Sequence, residues 1–232
     1  MPAPLVLLPG LLNTGEVWQR VIDALGPVTP PHLPDLTQDD SIAAMAARVL
    51  AGAPAEPFAL AGQSMGGYVA LEIMRQAPAR VARLALIDTQ ARPDTEEATE
   101  RRHALMRIAD AGRFDTVADR LMPLLLDAPR IDDPVLTTLI RKMAHAVGAE
   151  AFGRQQRAII GRADSRPGLG AIACPTLVLC GEHDLLTPPD RHAEMAQAIA
   201  GAKLVVVPAC GHMALVERPR EIARALQDWL DA

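Results

Sequence analysis

The chain has 232 residues, 50% of them hydrophobic and 22% charged, with a formal net charge of −5. That is enough for one sizeable core, or a core with a modest insertion. Acidic and basic residues are interspersed, no basic stripe or aromatic ladder suggests a nucleic-acid partner, and no apolar run approaches the roughly 20 residues of a membrane helix.

Leu5 to Leu12 is apolar, but Pro9-Gly10 interrupts it and no basic region precedes it, so it does not read as a signal peptide. Cys174, Cys180 and Cys210 are expected to be buried free thiols of a cytoplasmic chain. Cys210-Gly211-His212 has no second Cys/His pair, so neither a metal nor another cofactor is expected.

In chain order, Pro4 to Leu8 is an apolar run without alternation and predicts a strand buried on both faces. Pro9-Gly10-Leu11-Leu12-Asn13 predicts a loop. A helix follows from about Thr14, with Trp18, Val21, Ile22 and Leu25 on one face and Gly26 as its stop. Val28 to Leu36 is rich in proline and reads as a short, irregular edge strand. Asp40 caps a second helix, Ile42 to Leu50. A strand from Phe58 then runs into Gly62-Gln63-Ser64-Met65-Gly66-Gly67, and helix-favouring residues Tyr68 to Met74 follow at once. Arg83 to Asp88 predicts a further strand.

From about Arg92 to Ala171 the patterning is helical only, with helices expected over Thr95–Ala111, Phe114–Leu126, Asp133–Val147 and Glu150–Gly161. Alternation resumes with a strand Thr176–Gly181, a helix near Asp190–Ala200, a strand Lys203–Pro208 and a last helix from Pro219. The pattern is that of an α/β protein, a mostly parallel sheet of about six strands with helices on both faces. Residues 1–91 and 172–232 are expected to form the core. Residues 92–171, too long for a simple crossover, are expected to be a helical cap over the strands' carboxyl ends, where functional loops gather.

Gly-x-Ser-x-Gly between a strand and a helix places Ser64 at the apex of a sharp turn, its hydroxyl exposed and the helix N-terminus behind it. A serine hydroxyl needs a base, and the base an orienting carboxylate. His212, in a Gly-His-Met loop after the last strand, is the candidate base. Asp184, in Gly181-Glu182-His183-Asp184, is the candidate acid, because the order Ser, acid, His fits this architecture. Asp88, at the end of a neighbouring strand, is the alternative. Glu182 should point away, being two residues earlier on an extended backbone. His183 and His192 are expected to be bystanders. The oxyanion needs two N–H donors; Met65 offers one at the helix start, and Leu11, after Pro9-Gly10, is the candidate for the other.

The segments LVLLPGLL (5–12), GQSMGG (62–67), GEHDLLTP (181–188) and GHMALVERP (211–219) resemble those of the α/β-hydrolase superfamily, and the resemblance runs nearly end to end. The last two look like the acid and histidine loops of its small esterases and lactonases. The resemblance implies a sheet lacking the family's first two strands. Many relatives carry His-Gly where this chain has Pro9-Gly10. The serine nucleophile disfavours the chemistries of the family's dehalogenases and epoxide hydrolases, which use an aspartate.

The function expected is a serine hydrolase cleaving an ester, lactone or thioester of a small, largely apolar molecule. Ser64 would attack, His212 shuttle the proton, Asp184 orient His212, and Leu11 and Met65 hold the oxyanion. A cofactor-free C–C hydrolase or perhydrolase, or a slow-turnover ligand receptor, would use the same residues. The chain is expected to be a monomer or homodimer with no nucleic-acid or membrane partner. Leu12 and Met213 are expected below the pocket and Met122 and Met143 above it, with no strong preference for charged acyl groups.

Overall fold

The computed structural model describes residues 3–26 and 30–231. Strands β1 (Leu5–Leu8), β2 (Phe58–Gln63), β3 (Val81–Ile87), β4 (Thr176–Gly181) and β5 (Lys203–Val207) lie side by side in chain order, and every pairing is parallel. The helices between them are α1 (Gln19–Leu25), α2 (Ile42–Gly52), α3 (Met65–Gln76), α4 (Glu96–Ile108), α5 (Val117–Leu125), α6 (Pro134–Ile160) and α7 (Pro189–Ala198), with α8 (Ala214–Glu217) and α9 (Pro219–Asp231) at the end.

Strands β1 to β4 lack polar alternation because successive side chains go to opposite faces and both faces are covered, whereas β5, at the edge, leaves Leu204 and Val206 exposed. Val6, Leu60, Leu84, Leu86 and Val178 meet α2, α3 and α7 on one face. Leu7, Ala61, Ala85, Ile87 and Leu179 meet α1 and α9 on the other.

The edge strand expected over 28–36 shrinks to a single bridge between His32 and Val6, so the sheet has five strands rather than about six. The His32 N–H donates to the Leu5 carbonyl at 2.8 Å, and the Leu7 N–H donates to the His32 carbonyl at 3.0 Å. Pro30, Pro31 and Pro34 have no N–H with which to extend that ladder. Val28 and Thr29 lie outside the described residues. The bridge still sets the topology. The chain passes outside β1 and returns with α2 on the opposite face from α1, which makes the carboxyl ends of β1 and β2 a switch point.

Between β3 and β4 every element is helical. The Thr95 hydroxyl caps α4 by accepting the Ala98 N–H at 3.2 Å, and the Asp133 carboxylate caps α6 ahead of Pro134. The two helices expected over 133–147 and 150–161 run on as α6, broken at Gly148, whose φ of 78° only glycine adopts freely.

This segment packs on the carboxyl end of the sheet. Met122, Leu126, Leu136, Ile140 and Met143 join the sheet's own core, while Leu12 joins Val117, Ala118 and Phe152. Buried Gln155 on α6 fastens the two parts, accepting the Leu12 N–H at 3.1 Å and donating to the Leu36 carbonyl at 3.2 Å. Among the described residues no helix is long and apolar enough to cross a membrane. The three cysteines are free, and burial pushes the Cys180 thiol up to about 12.

His192 on α7 is fully buried; its Nε2 accepts the Thr89 N–H at 2.9 Å while Nδ1 donates to the Pro188 carbonyl at 3.3 Å. Burial holds it neutral, with its pKa down at about 4. The unfolded chain therefore takes up a proton near pH 6.5 that the folded chain refuses, so this residue's contribution to stability is full above pH 6.5 and is lost as pH falls toward 4. That interval corresponds to about 3 kcal/mol. Replacing the residue by a non-titrating acceptor, His192→Gln, should flatten the fall in unfolding free energy between pH 7 and pH 4 by about that amount. Urea unfolding of both proteins across that range checks this; parallel curves would refute it.

Candidate active site

Three backbones crowd at the carboxyl end of β2. A Cβ on Gly62 would overlap the Gly66 carbonyl and come within 2.7 Å of the Gly67 nitrogen, and one on Gly66 would overlap the Leu8 and Pro9 carbonyls. Only glycine fits either place, so β2 can turn straight into α3. Ser64 at the turn takes φ 53° and ψ −115°, outside the regions a serine normally occupies. The strain is held by long-range partners: the Ser64 N–H donates to the Ile87 carbonyl at 2.9 Å, and the Thr89 hydroxyl donates to the Ser64 carbonyl at 2.8 Å.

The structure brings Ser64, His212 and Asp184 into one line of hydrogen bonds. The Ser64 hydroxyl lies 2.9 Å from His212 Nε2, and His212 Nδ1 lies 2.8 Å from Asp184 Oδ2. Asp184 also accepts the backbone N–H groups of Leu186 at 2.9 Å and Thr187 at 2.8 Å, and the Thr187 hydroxyl at 2.7 Å. Burial raises the Asp184 carboxyl, but His212 and the Thr187 bonds outweigh it and leave the group below the usual carboxylate range. An ionised Asp184 is an acceptor, so it fixes the proton of His212 on Nδ1 and leaves Nε2 as the acceptor for the serine hydroxyl.

Asp88 is fully buried and takes no place in that line. Its Oδ1 accepts the Gly181 N–H at 3.3 Å and its Oδ2 the Ala214 N–H at 3.0 Å. It thus ties the end of β4, three residues before Asp184, to the start of α8, two residues after His212. Burial, and then the charge of Asp184, hold its carboxyl well above the usual range. Glu182 points away, accepting the Ala209 N–H at 3.1 Å. His183 is half-exposed and pairs with Asp127 at 2.8 Å. Among the described residues no group of three or more His, Cys, Asp or Glu side chains is arranged to hold a metal ion.

Met65 opens α3, where the first N–H groups have no partner within the helix. Gly10 lets the β1 loop close over the serine, since a Cβ there would stand 3.2 Å from Ser64 Cβ. The Leu12 N–H is taken by Gln155, and Leu11 lines the cavity together with Ser64.

A cavity of about 110 Å³ opens above Ser64 and His212, with Leu11, Leu12 and Met213 among its walls, as the sequence suggests. Met122 and Met143 are not among its lining residues. Both are buried against the sheet, and the roof is made instead by Leu121, Leu125, Ile140 and Ala144. Helices α5 and α6 are apolar on more than one face, and only their docking decides which face looks into the cavity. Sequence reasoning also missed Thr187, Gln63 and Asn13. Gln63 accepts from Asn13 Nδ2 at 3.3 Å and donates to the His212 carbonyl at 3.4 Å, bracing the histidine loop. Thr187 stands inside the acid loop's own segment, where a hydroxyl three residues after the acid was a readable signal.

The model of the alpha/beta hydrolase family matches residues 5–225. A pimeloyl–acyl-carrier-protein methyl ester esterase of Chromobacterium violaceum is 26% identical, over 97% of this chain and 93% of its own. A malate-bound thermophilic esterase from Thermogutta terrifontis superposes with a TM-score of 0.86 at 28% identity, over 99% of this chain and 89% of its own. The enol-lactonase from Burkholderia xenovorans LB400 gives a TM-score of 0.86 at 25% identity, over 100% of this chain and 93% of its own. With the sheet order, the glycine-lined turn at Ser64 and a family match over nearly the whole length, the chain belongs to the alpha/beta hydrolase family.

Proposed function

We propose that the protein is a serine hydrolase that cleaves a carboxylic ester or lactone of a small molecule through an acyl-enzyme. The observation that carries this is the unbroken hydrogen-bond line from Ser64 through His212 to Asp184 at the mouth of a small cavity. The names of the relatives, an ester hydrolase and a lactonase among them, agree with it.

In this reading His212 Nε2 takes the hydroxyl proton as Ser64 Oγ bonds to the substrate carbonyl carbon. Asp184 stabilises the resulting imidazolium, whose Nδ1–H it already accepts. The N–H groups of Leu11 and Met65 receive the oxyanion. His212 passes its proton to the leaving oxygen, the C–O bond breaks, and the acyl group stays on Ser64. Water then enters by the same route, giving a proton to His212 Nε2 and its oxygen to the acyl carbon; the bond from that carbon to Ser64 Oγ breaks, Oγ takes the proton back from His212, and the acid departs. The buried thiols have no part, since burial raises each of them. Helices α4 to α6 act as the cap that selects the acyl or leaving group.

Ser64→Ala should abolish ester turnover and labelling by an organophosphate, a loss on the order of 10⁶ in kcat, with the fold intact by circular dichroism. His212→Ala should be as damaging, and His183→Ala mild. Asp184→Asn should cost about 10⁴ in kcat. Asp88→Asn should be far less harmful to kcat and should instead lower the melting temperature, because an amide nitrogen would face an N–H donor. If Asp88→Asn proved the more damaging to kcat, the acid would have to be reassigned to the end of β3.

The roof makes a second expectation. Each buried methylene contributes about 0.8 kcal/mol, so kcat/KM on p-nitrophenyl esters should rise several-fold per carbon from acetate until the cavity is full. Leu121→Ala and Leu125→Ala should move the optimum to longer chains, while Met122→Ala, away from the cavity, should act on stability. A flat series indifferent to both leucines would remove these helices from the acyl site.

A further inference from the structure

The cavity above Ser64 is not apolar throughout. Asp94, Arg101 and Arg102 stand on its wall together with Ser64 and His212. Asp94 accepts from Arg102 Nε at 2.5 Å and from Arg162 Nη1 at 2.7 Å. Asp94 and Arg162 are buried, their side chains 3% and 4% exposed, while Arg102 is partly buried at 21%. Arg162 has its other donors placed, on the Arg92 and Ile159 carbonyls, and its guanidinium lies 4.2 Å from the centre of the Tyr68 ring. Arg102 gives Nη1 to Gln156 Oε1 at 3.0 Å, and no hydrogen bond among the described residues uses its Nη2.

The charge count decides what this cluster is for. Two guanidinium groups share one carboxylate, which leaves one positive charge in a partly desolvated place, and Arg101, exposed and close enough to Glu97 to help the Thr95 side chain lower its carboxyl, stands beside it at the cavity wall. Asp94 lies below the usual carboxylate range: burial opposes this, and the two arginines overcome it, so it is ionised and already spoken for. Glu97, one turn before Arg101 on α4, is exposed and not among the lining residues. A cluster that only clamped α4 to α6 would balance with one arginine. A partly buried cation that shares its carboxylate with a second arginine, and faces a cavity, is stabilised when an anion completes it.

We propose that the anion is a free carboxylate carried by the substrate. The preferred substrate is then an ester or lactone whose short apolar chain ends in a second, ionised carboxyl group. The planar fork of Arg102, with Arg101 beside it, receives that carboxylate while Leu121, Leu125 and Ile140 cover the chain and the ester carbonyl lies at Ser64. The inference rests on the serine-hydrolase reading for the position of the ester, and it replaces the expectation of no strong preference for charged acyl groups.

The test uses matched pairs, the monomethyl and dimethyl esters of the straight-chain diacids from succinate to pimelate. Binding is measured by calorimetry on the Ser64→Ala protein, and turnover on the unaltered chain. One monomethyl ester should bind at least tenfold more tightly than its dimethyl partner, with a matching preference in kcat/KM that shrinks as salt is added. Arg102→Gln and Arg101→Gln, each placed in the Ser64→Ala background, should each reduce the binding preference severalfold. Arg102→Lys, which keeps the charge but not the fork, should lie between Arg102→Gln and the parent. If Arg102→Gln does not fold, Arg101→Gln and Arg102→Lys carry the comparison. Equal binding of the two esters throughout the series, or a preference untouched by the arginine variants, would overturn the carboxylate subsite. Selective binding of the half-ester with no hydrolysis by the unaltered chain would instead leave the subsite standing and remove the serine-hydrolase reading.

Discussion

Everything at this site depends on how closely three backbones can approach without side chains between them. Gly62 and Gly66 let β2 fold into α3 at contact distance, and Gly66 also lets that turn press against the carbonyls at the end of β1. A methyl group at either place would push the helix away from the sheet. Ser64 would then relax from its φ of 53° into an ordinary conformation and its hydroxyl would leave His212. The strain is affordable because it is held from outside the turn, by Ile87, Thr89 and, through Thr89, His192. The position of Ser64 is thus a property of the packed sheet rather than of five residues.

The loops that meet Ser64 are held by buried acids. Asp88 grips backbone N–H groups on both sides of the pair formed by Asp184 and His212. Glu217 accepts the Gly211 N–H at 2.9 Å and the Asp127 N–H at 3.0 Å, so the histidine loop is also fixed to the chain entering α6. Burial raises both of these carboxyls, whereas Asp184 stays low because His212 and Thr187 face it. Three acids in one region therefore play different parts, according to what each carboxyl meets. This arrangement keeps one negative charge next to the histidine, where an imidazolium would form.

The helical segment closes the cavity with two kinds of surface. Its apolar face continues the sheet's own core through Met122 and Met143, and the adjacent face roofs the cavity through Leu121 and Ile140. Gln155 ties the segment to Leu12 and Leu36, so the helical segment and the loop beside the serine are joined by hydrogen bonds. Against that apolar roof the excess of arginine over carboxylate around Asp94 gives the cavity one cationic side.

The amino-acid sequence by itself determined the features that depend on neighbours along the chain. The glycines around Ser64, the strand before it and the helix after it identify the turn, because its sterics act within a few residues. The order Ser64, Asp184, His212 and the position of each after a strand placed the chemistry at one end of a parallel sheet. Chain order favoured Asp184 over Asp88, but both follow strands, and only the tertiary structure shows which carboxyl meets His212. It also reduced the proline-rich edge strand to one bridge, and it set the rotation of α5 and α6 that puts Leu121 rather than Met122 over the cavity. Helical periodicity tells which residues share a face, but not which of two apolar faces meets the sheet. The cluster of Asp94, Arg102 and Arg162 was illegible for a related reason: Arg162 is distant in the chain from the other two, and the charges can be summed only once folding brings it to Asp94.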